Sequence, residues 1–159
     1  MNDTEKLTRT AIASWKQTIA RLDEALAKLS DADLERRVAP DRNRVVYLVG
    51  HLTAVHDRML PLLMLGDRMH PELDEPFLTE ADSHTPYTLS AAELRRMWME
   101  VNTKLTSAID ALPADKWLDR HASVSAEDFA REPLRNRLSV LLSRTSHAAF
   151  HQGQIRLAY

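Results

Sequence analysis

The chain has 159 residues, 21 of them basic and 23 acidic, for a formal net charge of −2; that length suits one domain around one core, and residues 1–159 are expected to form it. No broad positive surface and no Lys/Arg run awaits a phosphate backbone, so nucleic acid is set aside as a partner. Cysteine is absent, which removes disulfides, thiolate ligands and cysteine nucleophiles together, and any metal must be held by His, Asp or Glu.

The start, Met1 to Leu7, lacks the apolar segment of a secretory signal, and no stretch approaches the roughly 20 apolar residues of a membrane span. A cytoplasmic protein without membrane contact is expected. The three glycines form no phosphate-cradling loop, so a nucleotide-binding fold has no support.

In chain order, Leu7, Ala11, Trp15, Leu22, Leu26 and Leu29 recur at steps of three, four and seven and predict a first helix from about Thr4 to Leu29. Ser30 to Asp33 offers a cap for a short turn through Glu35, and Pro40 stops helical continuation. Asn43 can cap a second helix carrying Val45, Leu48, Leu52, Val55, Met59 and Leu62; Pro61 should kink or end it, and Gly66 suits its terminus.

Residues 67–88 show no period, contain Pro71, Pro76 and Pro86, and are acidic; they predict an irregular connection, either a mobile acidic loop or a lid. Ser90 to Glu93 is a capping box opening a third helix through Leu94, Met97, Val101, Leu105, Ala108 and Leu112 before Pro113. A second irregular connection covers Ala114 to Glu132, with a short turn near Trp117. Pro133 suits the first turn of a fourth helix running through Leu134, Leu138, Leu141, Ala148 and Ile155. Four amphipathic segments without strand-like alternation predict an all-α four-helix bundle with two longer connections.

His147 and His151 stand four apart on the fourth helix, rotated by about 40° and separated by about 6 Å along its axis, so both rings lean over one surface. Both border the face this helix must bury. Ala148 rules out the His-Glu-x-x-His protease pattern, and two ligands seldom make a site. His51 borders the buried face of the second helix and is the candidate third ligand, since bundles build metal sites from facing helices. Three imidazoles suit zinc or nickel best, with iron and copper within range, and leave an open position. His56, about 140° from His51, faces away from that ion. His70, His84 and His121 fall in the connections, where exposure is expected.

The segment Ser146-His147-Ala148-Ala149-Phe150-His151-Gln152-Gly153-Gln154-Ile155, read with the distant Gly50-His51-Leu52, resembles the DinB-like (DinB/YfiT) superfamily. The resemblance spans the chain and implies a four-helix bundle with a three-histidine metal site, one His on the second helix and a His-x-x-x-His on the last. Phe150 and Gln152 stand where Tyr and Arg are frequent in that family. The resemblance further implies a metal-dependent enzyme acting on a small molecule with a low-molecular-weight thiol, a thiol S-transferase or an isomerase. It also implies a homodimer, for which Ser143, Phe150 and Leu157, spaced by seven, can supply a contact face unless they crowd the bundle's own neighbours. A metal-dependent hydrolase and a non-catalytic, stress-related metal- or ligand-binding bundle are the alternatives.

No Glu or Asp adjoins the three histidines in sequence, which favours thiolate activation over hydrolysis, because the latter wants a general base beside the water. Arg144, one turn before His147, can hold a substrate carboxylate, with a structural ion pair as its alternative role. Gln154, one turn past His151, can orient a ligand ring or line the pocket. Each ligating imidazole should donate its other nitrogen to an oxygen.

Overall fold

In the computed structural model, which describes residues 1–83 and 85–159, two capping boxes set the phase of the bundle. At the head of α1 (Asp3–Ala27), the Asn2 side chain accepts the Glu5 N–H while Glu5 reaches back to the Asn2 N–H. Ser90 and Glu93 do the same for α3 (Ala91–Ala111), as their spacing predicts. Each box satisfies donors that the first helical turn would leave unpaired. His84 lies outside the described residues.

The second helix, α2 (Val45–Leu62), starts differently from expectation. Its N-cap is Arg44, which makes no side-chain cap bond, and Asn43 is not used. The Arg44 N–H instead donates to Asp82 at 2.8 Å, a carboxylate supplied from the far end of the following connection. Pro61 sits exposed in the last turn, where the helix ends, and the chain reverses through Met64 at φ 55 and Gly66 at φ 144.

The last long helix, α5, spans Arg137–Arg156, with the short α4 (Ala126–Arg131) before it. Two expectations are corrected here. The connection before the last helix contains a helix, opened by Ser125, whose side chain accepts the Asp128 N–H. Pro133 does not occupy the first turn of α5: the side chain of Asn136 accepts the Ser139 N–H at 2.9 Å while its own amide donates to the Pro133 carbonyl at 3.1 Å. Proline therefore shapes the turn ahead of the cap, and Leu134 is left 82% exposed.

The long helices pack with α1 chiefly against α5 and α2 chiefly against α3. Trp15, Leu22, Leu48, Leu52, Met59, Leu94, Leu105, Leu141, Ala148 and Ile155 fill the centre. Each large apolar side chain removed from water there contributes on the order of 1.5–3 kcal/mol. Leu7 does not join them and is exposed, so the apolar stripe of α1 effectively begins at Ala11.

The acidic connection is pinned rather than free. Its residues form a 3-10 turn at Pro71–Leu73 and a π turn at Glu75–Thr79. At its start, buried Asp57 of α2 accepts the Met69 and His70 N–H groups and Arg68 Nε at 2.7, 3.1 and 3.0 Å. Arg68 also forks onto Asp74, and Arg58 joins it; these guanidiniums, Arg68 foremost, hold the Asp74 carboxyl at a pKa of about 2. At its end, buried Arg44 grips Asp82 at 2.7 Å, the Thr85 carbonyl at 2.9 Å and Glu35 at 2.6 Å, and Tyr87 donates to Asp82 at 3.1 Å. Between the two anchors, Phe77 is fully buried.

On the outside of α5, Leu142, Ser143, Phe150 and Leu157 face solvent rather than the bundle's own neighbours. Among the described residues no helix is long and apolar enough to cross a membrane.

Candidate metal centre

Half-buried His51 of α2 and half-buried His147 and His151 of α5 converge. The Nε2 atom of His147 lies 3.2 Å from that of His51 and 3.0 Å from that of His151. The three ligand atoms are all within 4.8 Å of one another, and among the described residues this is the group able to hold a metal ion. Nitrogens bound tetrahedrally at about 2.0–2.1 Å stand roughly 3.3 Å apart, so the spacing matches a common first-row ion.

The protons explain why the contacts do not belong to a hydrogen-bonded triad. His51 Nδ1–H donates to the Phe77 carbonyl at 3.0 Å, and His151 Nδ1–H donates to Gln154 Oε1 at 2.7 Å. Each ring is thereby locked in the tautomer whose Nε2 bears a lone pair. Two lone pairs then aim at a third imidazole nitrogen, which can offer a proton to only one of them. A cation satisfies all three.

Electrostatics reinforces the neutral, ligating form. Burial is the leading cause lowering the pKa of all three rings. His147 is pushed down to about 4, with His151, His51 and Arg144 adding repulsion after burial. Arg144 is the charged side chain outside the trio that lowers the pKa of His51 and His147. Arg144 is half-buried, and no hydrogen bond or ion pair of its side chain is found among the described residues. Gln154 meets the His151 ring through that 2.7 Å contact.

Three contributors were not legible beforehand. Phe77 supplies the carbonyl that orients His51. Gly50 lets it do so: a Cβ at position 50 would stand 2.4 Å from the Phe77 ring, so the Gly-His pair reflects a close approach of the π turn to the α2 backbone. Tyr47 lies parallel to His51 with centroids 6.2 Å apart and donates its hydroxyl to the Glu80 carbonyl at 3.0 Å. Glycine inside an otherwise apolar helix was the available signal for the second of these.

His70 and His121 of the connections do not join the three-histidine group. His70 is held between Glu72 at 3.0 Å and Glu100 at 3.3 Å, and His121 is partly buried, which corrects the expectation that both stand open to solvent. His56 is not part of the three-histidine group and is fully buried. A cavity of about 1020 Å³ between α1 and α3 contains none of the three converging histidines. Its size does not make it the chemical site, because it gathers no comparable donor set.

Residues 14–155, most of the chain, match the family model of the DinB superfamily. No curated protein matches the sequence.

Two outcomes follow for the metal-free and loaded protein. Gly50→Ala is expected to displace Phe77, lower stability by about 1–3 kcal/mol through overpacking and weaken metal binding, read by urea denaturation and metal titration; unchanged values in both would contradict the role given to Gly50. In chelator, the buried histidines have folded pKa values below the unfolded value of about 6.5, with His147 near 4 and His56 near 3. Their stabilising effect is therefore complete above pH 6.5 and is lost as pH falls from 6.5 toward 4. Each contributes a slope of up to about 1.4 kcal/mol per pH unit, measurable as a falling urea midpoint.

Proposed function

Because the chain belongs to the DinB superfamily and brings three imidazole lone pairs to one point, we propose that it is a metal-dependent enzyme acting on a small molecule, with His51, His147 and His151 holding a divalent ion, zinc or nickel by preference. The observation that carries the reading is the fixed tautomer of His51 and His151, whose Nδ1 protons are engaged by Phe77 and Gln154. Three protein ligands, with no cysteine or carboxylate to close the set, suit a site with an open position rather than a structural one.

A bound ion supplies Lewis acidity, stabilising a thiolate or hydroxide at the open position. The chain's own residues favour the thiolate. Hydrolysis calls for a base beside the water, and among the described residues no carboxylate joins the three-histidine group. The reading is thus a thiol-dependent S-transferase or isomerase using a low-molecular-weight thiol. Arg144, without an ion pair among the described residues, binds a carboxylate of the thiol or of the electrophile through its planar fork. Tyr47 and Phe150 flank the histidines, the latter's ring 5.2 Å from His151, and offer apolar surface to the electrophile. A homodimer through the exposed Leu142, Phe150 and Leu157 of α5 belongs to the same reading.

Protein purified without an affinity tag should contain one divalent ion per chain, and His147→Ala should lose it; a metal-free wild type under any divalent supply contradicts the proposal. A screen of thiols against electrophiles should show metal-dependent conjugation or isomerisation. Hydrolysis of esters or amides without added thiol would favour the hydrolase instead. Arg144→Leu should keep its metal while KM for a carboxylated substrate rises roughly 10–100-fold, as loss of a charged hydrogen bond implies.

A further inference from the structure

The centre of the bundle holds a second polar arrangement behind the ligand face. His56 of α2 is fully buried, and its Nδ1–H donates to Asn102 Oδ1 at 2.8 Å. The Asn102 amide nitrogen donates in turn to the Trp98 carbonyl at 2.8 Å, which fixes the orientation of the amide. His56 is therefore held as the tautomer whose Nε2 is a bare acceptor, and that atom is buried without a partner. Burial above all keeps this ring neutral, with a pKa of about 3, and His147, Arg144 and His51 are near enough to depress it further.

Two donors match it. Trp15 of α1 meets the His56 ring edgewise at 4.9 Å between centroids, and its Nε1–H is buried and unpaired. His147 turns Nε2 toward His51 and His151; with an ion held by that nitrogen its proton sits on Nδ1, which is likewise buried and unpaired among the described residues. Leaving such groups unsatisfied is unfavourable, and an internal water ordinarily makes about three hydrogen bonds to groups of this kind.

We propose that one internal water accepts from Trp15 Nε1 and His147 Nδ1 and donates to His56 Nε2, making His56 a positioning residue of the metal centre. The inference rests on the three-histidine reading. It supplies the outer partner that His147 otherwise lacks, completing the set begun by Phe77 for His51 and Gln154 for His151. The chain Asn102–His56–water–His147 then orients the third ligand from α3 and α2, with Trp15 adding α1.

The test combines a crystal structure of the wild-type chain with Co²⁺ titrations of wild type, His56→Phe and His56→Gln. Density should show one ordered water within hydrogen-bonding distance of all three atoms. His56→Phe, folded by circular dichroism, should bind Co²⁺ roughly 10–100-fold more weakly, as for other outer partners of ligating histidines. His56→Gln, which keeps an acceptor at the end of its side chain, should recover most of that loss, whereas a purely structural effect would not separate the two variants. Wild-type affinity in His56→Phe, equal weakness in both variants, or density without the shared water overturns the proposal. A wild type that binds no Co²⁺ overturns the metal reading, and the density still decides the water; the same density serves should His56→Phe fail to fold.

Discussion

The site depends on three neutral imidazoles being held with their Nε2 lone pairs toward a common point. Such an arrangement is unfavourable without a cation, since the lone pairs repel and burial disfavours protonating the rings. The structure enforces it with hydrogen bonds on the opposite side of two rings, at Phe77 and Gln154. Folding therefore does the work of orienting the ligands before an ion arrives, and the expense of gathering them is met by the packing of α1 on α5 and α2 on α3.

That dependence ties the acidic connection to the chemistry. The Phe77 carbonyl reaches His51 only because its ring lies against the α2 backbone at Gly50, and Phe77 stays there because the segment is fastened on both sides. The fastenings are ionic and partly or wholly buried: Asp57 with Arg68, and Arg44 with Asp82. Buried pairs of this sort are weak sources of net stability, but breaking one leaves an uncompensated charge, so they specify a single arrangement of the chain. A segment dense in Asp, Glu and Pro thus becomes a fixed wall of the site.

Periodicity made the four long helices readable, and the i, i+4 spacing of His147 and His151 with the lone Gly50-His51 pair made the ligand set readable. What stayed hidden depended on contacts distant in sequence. Asn43 is a good local cap, yet Asp82, 38 residues beyond Arg44, takes over the start of α2. Pro133 has the right shape for a first helical turn, but the hydrogen bonds of Asn136 place the boundary later. His56 looked irrelevant from its angle alone; its environment of Trp15, Trp98 and Asn102 comes from two other helices. A helical wheel states which way a side chain leaves its own helix and is silent about what it meets.

The distribution of charge argues for the kind of ligand the site receives. Four carboxylates in or beside α2 and the acidic connection are already engaged by arginines: Asp57 and Asp74 by Arg68, Asp82 and Glu35 by Arg44. The three histidines contribute no charge when neutral, and Arg144 acts on two of them with no ion pair among the described residues. A divalent ion placed there keeps its full positive charge, unlike one bound by a carboxylate-containing set, and the guanidinium adds to it. In a half-buried setting of reduced dielectric, that field favours anions over neutral molecules. A thiol that ionises on binding and carries a carboxylate elsewhere answers both positive groups at once, whereas a water molecule answers only one.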